Sequence, residues 1–392
     1  MKQFTSRILY MTIFEEGFYQ VPPYYNVSSR KDIFMKKIII STVFIILSFI
    51  AICYSGQNPT IEELLAKYEQ TQINMKNIHF KSETIMEEKD SLAKESNLTA
   101  CRAEFYTDGT RIDLTVGESI HISNKDYREI PDSGYSTRLI WDENHWYQHK
   151  RPEKSEDQRV FISKREKWKK DYLFNVYAVA IDGYFIGDSN TVSSIFRNAD
   201  QIKLYEEQEN INGVSCYVLE AISKYGMHKI WIDPEHGYNI CQAEVVKNRN
   251  DLFDSKPLSN PPPEDIANLR ITLPEGQPPL ITKSKVEAIL TVNNVKFQEY
   301  NDVWIPISGD WKHTVAYEDG RILTALFNYK KYDIELSPDF KEAKTFEPNI
   351  PNGTTVRIEG ENLFIPLYWQ NGKVVDSNGI EVDLKTSKPS PQ

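Results

Sequence analysis

The sequence predicts a mainly β protein with capping helices, of the α+β class. Three β-rich runs follow one another at residues 214–222, 227–232 and 238–246, and two turn signals separate them. The second signal, Asp-Pro-Glu-His-Gly at 233–237, combines the fixed φ of proline with a glycine that tolerates positive φ. Spacings this short join neighbouring antiparallel strands, so the three runs predict a meander.

Both faces of this meander carry apolar side chains. In the first run Val214, Cys216 and Val218 share one face, whereas Tyr217 and Leu219 share the other. A sheet with one solvated face would alternate more cleanly. The pattern therefore predicts a sheet that is covered on both sides or curled around an apolar cavity, and an ordinary sandwich core fits it as well.

The segment that begins NGVSCYVLEA at Asn212 and continues as HKIWIDPEHGYNICQAEV from His228 resembles the bacterial lipoprotein-carrier superfamily, the LolA/LolB-like proteins. The likeness lies in an Asn-Gly strand, a Trp-Ile-Asp-Pro strand and a return strand. It covers about residues 57–250 and, more loosely, the strands to about 335. The resemblance implies a half-open antiparallel β-barrel, capped by helices, with an apolar cavity that takes acyl chains.

The resemblance also implies the candidate ligand-cavity residues. The family often has an arginine that hydrogen-bonds across the cavity mouth to close a lid, and Arg111 is the nearest match, although the usual Arg-Pro pair is missing. The other candidates are aromatic residues on the predicted strands and on an aromatic helical stripe: Trp141, Trp146, Trp168, Tyr217 and Trp231. An aromatic stripe of this kind is more often plain core.

The N-terminal residues predict export. Lys36 and Lys37 precede an apolar run at 38–52, which has the length of a signal-peptide core and is short for a membrane-spanning helix. Residues 1–34 are interpreted as an upstream over-call before Met35, and 35–55 as a signal peptide cleaved after Ser55. The alternatives are an uncleaved N-terminal membrane anchor and lipidation at Cys53.

The remaining chain divides at changes of composition. Residues 56–345 are predicted to form the LolA/LolB-like half-barrel, with a helical lid insertion near 159–200 and a proline-rich connector at 256–280. A capping box at Thr60 and Glu63 begins the first helix, which is predicted to run to about residue 76. Residues 346–392 are predicted to be a small C-terminal β extension and a tail. The predicted strands outside the meander lie at 79–87, 101–116, 138–149, 284–300, 303–307, 311–317 and 321–336.

Three cysteines remain after cleavage, namely Cys101, Cys216 and Cys241. In a flat meander Cys216 and Cys241 would lie on strands that flank a third, roughly 9–10 Å apart. A disulfide needs Cα atoms within about 7 Å, so the sequence predicts small buried thiols there, and Cys101 could pair with either. No Cys-x-x-Cys motif supports a thiol-redox site.

No motif in the sequence predicts catalysis, a metal or a cofactor. His145 and His149 lie in a strand-like run that would hold them about 13 Å apart, which is too far for one ion. Asp233, Glu235 and His236 cluster in a turn whose own chemistry explains them. The formal net charge of −10 argues against nucleic acid as a partner.

These observations predict an exported, non-enzymatic, monomeric protein of the periplasm or outer cell envelope. Its apolar cavity would carry or sense a lipid or the acyl chain of a lipoprotein, and other envelope proteins are further candidate partners. The alternative is an envelope interaction or sensor module with a packed barrel and no ligand. A hydrolase is the weaker third interpretation.

Overall fold

The computed structural model describes most of the chain after residue 57. The described residues are 58–93, 96–117, 120–121, 135–152, 158–163, 183, 185, 188, 190–253, 256–259, 284–342, 345–359 and 366–384. The predicted start, signal peptide and Cys53 lie outside them, as do Trp168 and residues 260–280 of the proline-rich connector. Within the described part of the chain, no helix has the length and hydropathy needed to cross a membrane.

Helix α1 (Ile61–Asn74) begins with the predicted capping box. The Glu63 amide donates to the Thr60 hydroxyl at 3.2 Å, and the Thr60 amide donates to the Glu63 carboxylate at 2.7 Å. Each contact satisfies an amide that the first helical turn leaves unpaired. A second helix, α2 (Val192–Arg197), begins at Thr191, whose hydroxyl accepts from the Ser194 amide.

Strands dominate the described residues, which confirms the mainly β prediction. The N-terminal strands are β1 (Asn77–Asp90), β2 (Asn97–Asp108), β3 (Ile112–Gly117), β4 (Ile120–His121), β5 (Tyr135–Trp141), β6 (Trp146–Pro152) and β7 (Arg159–Ser163). The middle strands are β8 (Gln201–Leu204), β9 (Glu209–Ile211), β10 (Val214–Ser223), β11 (Gly226–Asp233), β12 (Asn239–Asn248), β13 (Leu252–Phe253) and β14 (Lys256–Pro257). The C-terminal strands are β15 (Lys285–Tyr300), β16 (Val303–Tyr317), β17 (Ile322–Leu336), β18 (Thr355–Ile358), β19 (Leu367–Gln370) and β20 (Lys373–Asp376).

Eighteen of these strands belong to one sheet. From β10 the pairings run through β11, β12, β15, β16 and β17 to β1, and then through β2, β3, β5, β6 and β7 to β18, β19 and β20. All are antiparallel except β7 with β18. Among the described strands this is an open chain of pairings, with β8 and β9 at one edge and β20 at the other, and it does not close into a barrel.

Tight turns fix the register of several hairpins. The meander is confirmed: β10 pairs with β11 and β11 with β12. Two residues of positive φ connect β9 to β10 (Asn212, Gly213) and β15 to β16 (Asn301, Asp302). Positive φ at both central positions defines the turn that matches the twist of the flanking strands, and Asn, Asp and Gly tolerate it.

Two segments differ from the sequence-based expectation. Residues 159–163, at the start of the predicted helical lid insertion, form β7, and the only helix described in the rest of that insertion is α2. The predicted C-terminal extension is joined to the main sheet, because β18 runs parallel to β7 and pairs Val356 with Val160. Local pattern does not reveal such a pairing, since almost two hundred residues separate the partners.

Helix α1 covers the middle of the sheet. Leu64, Leu65 and Tyr68 pack with Leu290 and Trp311 in one buried cluster that spans β10 to β17. A second cluster lies between β1, β2, β3 and the hairpin β5–β6, and a third lies between β5–β7 and β18–β20. The other face of the meander carries a separate buried cluster of Cys216, Val218, Trp231 and Cys241. The apolar residues predicted on the two faces of the meander are therefore divided between this cluster and the one under α1.

Cys216 and Cys241 are buried thiols, as predicted. Their Sγ atoms lie 3.3 Å apart, although β11 separates the two strands as expected. The β11–β12 register is irregular between Trp231 and Ile232, which leaves Cys241 as an extra residue. A bulge of this kind bends and twists its strand.

Candidate ligand-binding cavity

One row of side chains crosses five strands of the sheet, from β2 to β15. Successive register partners along this row are Leu98, Glu87, Leu326, Lys312 and Thr291. Residues directly opposite each other on antiparallel strands have Cβ atoms about 5 Å apart on the same face. The row therefore places two leucines beside two opposite charges on one surface.

A second row lies two residues along each strand and so on the same face. Its register partners are Ile85, Asn328, Asp310 and Asn293. Three of these four side chains are polar, and two of those are amides. The second row thus gives the surface one polar side next to the apolar and charged first row.

The two rows line a cavity of about 520 Å³. This volume lies within the range of about 300–1,000 Å³ that small-molecule sites occupy. Leu326 is 36% exposed, so the cavity reaches solvent at that side chain. The remaining lining residues beyond the two rows are Asn294, Trp311 and Phe327.

Hydrogen bonds hold the polar side of the cavity in place. The two oxygens of Asp310 accept from the amide nitrogens of Asn294 at 2.7 Å and Asn328 at 2.6 Å. Asn294 has φ +55° within an irregular part of the β15–β16 register, which turns it towards β16. Burial, and then the Asp310 charge, raises the pKa of the Tyr329 hydroxyl above its ordinary value.

The lining chemistry suits binding. The described lining residues include no serine, cysteine or histidine that could serve as a nucleophile or a base near neutral pH. Trp311 and Phe327 alternate with these residues along β16 and β17, and their rings, with centroids 4.2 Å apart and planes tilted by 32°, pack in the cluster under α1. Apolar and aromatic walls with a few fixed polar groups are typical of sites for small, largely apolar ligands.

The candidate Arg111 lies away from this cavity. Its Nε donates to Asp108 at 2.8 Å, and its guanidinium carbon lies 4.5 Å from the ring centroid of Phe346. The side chain is 41% exposed. In this structure Arg111 therefore joins the β2–β3 turn to the segment before β18, and its predicted role at a cavity mouth stays a prediction.

The structure brings two of the predicted aromatic residues together, but in a packed cluster. Trp141 and Trp146 are register partners with ring centroids 5.7 Å apart, and both are buried. Trp231 is 4% exposed, and its Nε1 donates to Glu209 at 2.8 Å. Tyr217 is half-buried against the cluster under α1. None of these four, nor Arg111, lines the described cavity.

The residues that do line the cavity were not predicted from the sequence. The strands of Ile85, Leu326 and Asn328 were predicted, whereas Asp310 lies in the predicted break between 303–307 and 311–317, which the structure joins into the single strand β16. The missing information was the register between β1, β16 and β17, which decides which side chains meet. Nothing in the sequence of a run such as Leu326-Phe327-Asn328 indicates which residues of other strands it pairs with.

Structure comparison finds LolA/LolB-like lipoprotein-sorting and DUF1329 proteins among the similar folds. A DUF1329 family protein from Desulfovibrio piger has 10% identity and a TM-score of 0.37, with 74% of this chain and 98% of that chain covered. An outer membrane lipoprotein-sorting protein domain from Vibrio parahaemolyticus has 15% identity and a TM-score of 0.32, covering 73% and 96%. The Pseudomonas aeruginosa MucA/MucB complex has 7% identity and a TM-score of 0.22, covering 70% and 99%.

No family model and no curated protein matches the chain. With TM-scores below 0.5, none of the structural likenesses assigns a role to any residue. The structure is mostly β with few helices, and the folds it is similar to include those of a lipoprotein-sorting domain and a DUF1329 protein.

Proposed function

We propose that this protein is an exported, non-enzymatic binding protein that holds an acyl chain of a lipid or lipoprotein in the cell envelope. The observation that carries the proposal is the cavity of about 520 Å³ with Ile85, Leu98 and Leu326 on its walls and the Asp310 amide network on one side. The signal-peptide pattern at 35–55 supports export, and a half-open barrel form of the sheet remains part of the proposal.

Apolar burial would supply the affinity. Each methylene removed from water contributes about 0.8 kcal/mol, so affinity should rise with acyl chain length until the cavity is filled. The binding of an uncharged acyl ester should depend little on salt, because its recognition needs no ion pair.

The test is a titration of fluorescent acyl-ester probes of increasing chain length against the purified protein. Leu326→Gln should weaken binding about tenfold, because it replaces an apolar wall with an amide that must lose its hydration. Ile322→Gln is the matched control, since Ile322 is exposed on the same strand and does not line the cavity. No saturable binding at any chain length would remove the carrier function.

Arg111 remains in this proposal as a bridge between a strand and a lid. Arg111→Leu should change the rate at which the probe dissociates while the protein stays folded, since the Arg111 side chain is 41% exposed and its ion pair with Asp108 contributes little to stability. Export is tested separately by N-terminal sequencing of the protein from the envelope, where the first residue should be Gly56 or within a few residues of it. A lipid-modified Cys53 or an intact residue 1 would contradict cleavage at that position.

The second candidate function is an envelope interaction or sensor module without a ligand. The observation that favours it is the packing of Trp141 and Trp146 against each other in a closed cluster, where the family resemblance implied a cavity wall. In that case the probes would not bind, and the protein would instead be recovered with an envelope partner after cross-linking in intact cells.

A further inference from the structure

Two cysteine thiols lie next to each other in the described structure, Cys216 on β10 and Cys241 on β12. Their Sγ atoms are 3.3 Å apart, and the residues are 0% and 5% exposed. We propose that these two cysteines form an intramolecular disulfide when the exported chain folds. The proposal rests on the export that the proposed function includes, because an oxidising compartment supplies the conditions in which such a bond persists.

The sheet brings the two cysteines together at a defined irregularity. Cys241 lies between Ile240, which pairs with Ile232, and Gln242, which pairs with Trp231, so it has no partner of its own on β11. Cys216 lies one residue beyond the last β10–β11 pair and is instead paired with β9. Neither cysteine therefore has a register partner on β11, and the two sulfurs lie next to each other.

The approach needs little further movement to become a bond. An S–S bond is about 2.0 Å long, so the sulfurs must close by roughly 1.3 Å, and the bond also requires the two Cα atoms to lie within about 7 Å of each other. The third cysteine, Cys101, lies on β2 opposite Thr84 and belongs to another part of the sheet. We expect it to remain a thiol.

Oxidation removes one hydrogen from each thiol. Both S–H bonds break and one S–S bond forms, while two protons are released and two electrons pass to an acceptor disulfide. The acceptor is the disulfide of a thiol–disulfide oxidoreductase in the envelope, or oxidised glutathione in vitro, and it is reduced to two thiols. Exchange proceeds through a mixed disulfide, so one of the two cysteines must first be accessible.

Because the two thiols are buried in the folded protein, the stage of folding at which the disulfide forms matters. The hydrogen bond with Cys216, and then burial, raises the pKa of the Cys241 thiol above its ordinary value. The thiolate is the attacking species, so a reduced protein that has already folded should oxidise slowly. The bond is therefore expected to form while the chain folds, before β10 and β12 enclose the sulfurs.

The alternative role of the two cysteine sulfurs is to bind a metal ion. A carboxylate oxygen of Asp233 lies with both sulfurs in a group whose members are within 4.8 Å of one another. That carboxylate already accepts from the amides of Glu235 and His236 and lies 2.6 Å from His236 Nδ1. A closed zinc site needs four ligands, and the described residues supply three here, so the geometry favours the disulfide.

The test begins with the full-length gene expressed with its own leader and protein isolated from the cell envelope. The sample is unfolded in N-ethylmaleimide without reductant and mapped by mass spectrometry. The expected product is a linked pair of peptides that contain Cys216 and Cys241, two hydrogens lighter than the thiol forms, with Cys101 alkylated. Alkylation of both Cys216 and Cys241 would overturn the proposal for the protein as it occurs in cells.

A stability measurement gives a second readout. Reductant should lower the melting temperature by about 5 °C or more, because the bond closes a loop between residues 216 and 241. The Cys216→Ala and Cys241→Ala double variant should melt like the reduced protein and ignore reductant. The matched control, Cys101→Ala, should keep the full reductant-dependent shift, and a shift that follows Cys101 would contradict the assignment.

Failure of the proposed function can be distinguished from failure of this proposal. If the protein is not exported, or binds no acyl probe, refolding of the unfolded, reduced chain with oxidised glutathione should still yield the linked peptides. If refolding yields only thiols and the purified protein holds zinc in a one-to-one ratio that both alanine substitutions abolish, the site is a metal site and the disulfide is excluded.

Discussion

Lys247 donates a hydrogen bond to Asp188 at 2.5 Å, and neither side chain has appreciable contact with solvent. The same ammonium donates to the carbonyl oxygens of Tyr225 at 2.6 Å and Leu252 at 3.0 Å. His228 Nε2 lies 2.9 Å from the second Asp188 oxygen. Asp188 therefore connects the segment before α2 to β11 and β12 through two buried partners.

We expect Asp188→Asn to lower the free energy of unfolding by about 3–5 kcal/mol. The amide keeps the shape of the side chain but leaves the Lys247 ammonium buried without a counter-charge. Urea denaturation measures the change. The control is Glu318→Gln, which removes the partner of the exposed Arg249 and should cost at most about 1 kcal/mol. Equal effects of the two substitutions would contradict the role of Asp188.

The stability of the protein should fall in mild acid because of His313. Burial, and then the charge of Lys285, lowers the pKa of His313 from 6.5 to about 4. Above pH 6.5 both the folded and the unfolded imidazole are neutral. Between pH 6.5 and 4 the unfolded state binds a proton that the folded state does not, so stability is lost as the pH falls.

His313→Gln should remove that part of the pH dependence. The free energy of unfolding of the wild type, minus that of the variant, should decrease by at most about 3 kcal/mol between pH 7 and pH 4. Chemical denaturation at several pH values measures the difference. If the two curves run parallel over this interval, His313 is not the group that titrates.

Local patterns predicted the elements but could not predict which of them meet. The capping box of α1 and the Asn212–Gly213 turn involve residues close in sequence, so their side-chain chemistry was sufficient. The pairing of Ile85 with Asn328 joins strands more than two hundred residues apart, and many registers would satisfy the same alternation. The cavity depends on four registers, of which the one between β1 and β17 joins strands far apart in sequence, and this explains why the aromatic residues chosen from the sequence lie elsewhere.

Trp231 should be important for stability, as its place in the central strand of the meander suggests. It packs with Cys216, Val218 and Cys241, and its Nε1 donates to Glu209. Trp231→Ala should destabilise the protein by about 3–5 kcal/mol, because it leaves a cavity in this cluster. Trp231→Phe should cost less, since the ring is kept and the main loss is one hydrogen bond of about 1 kcal/mol. Thermal melts of both variants test the order, and an unchanged melting temperature for Trp231→Ala would mean that the strand register is wrong.

The last prediction concerns the headgroup of the proposed acyl ligand. Three charged side chains line the cavity, namely Glu87, Asp310 and Lys312, and their net charge is −1. Asp310 is fixed by two amide donors, so it cannot readily turn away from a ligand. A fatty acid carboxylate should therefore bind less well than an uncharged acyl ester of the same chain length, by roughly threefold to tenfold at low salt.

Two charge substitutions should move this preference in opposite directions. Asp310→Asn should reduce the difference between ester and carboxylate, because it removes the fixed negative charge while the side chain keeps its size. Lys312→Gln, the matched control, should increase the difference, because it removes the one positive charge on the lining. Competition of each ligand against a bound fluorescent ester measures both ratios at low and at high salt. If both variants leave the ratio unchanged, the headgroup does not lie near these charges, and the acyl chain enters the cavity from another side.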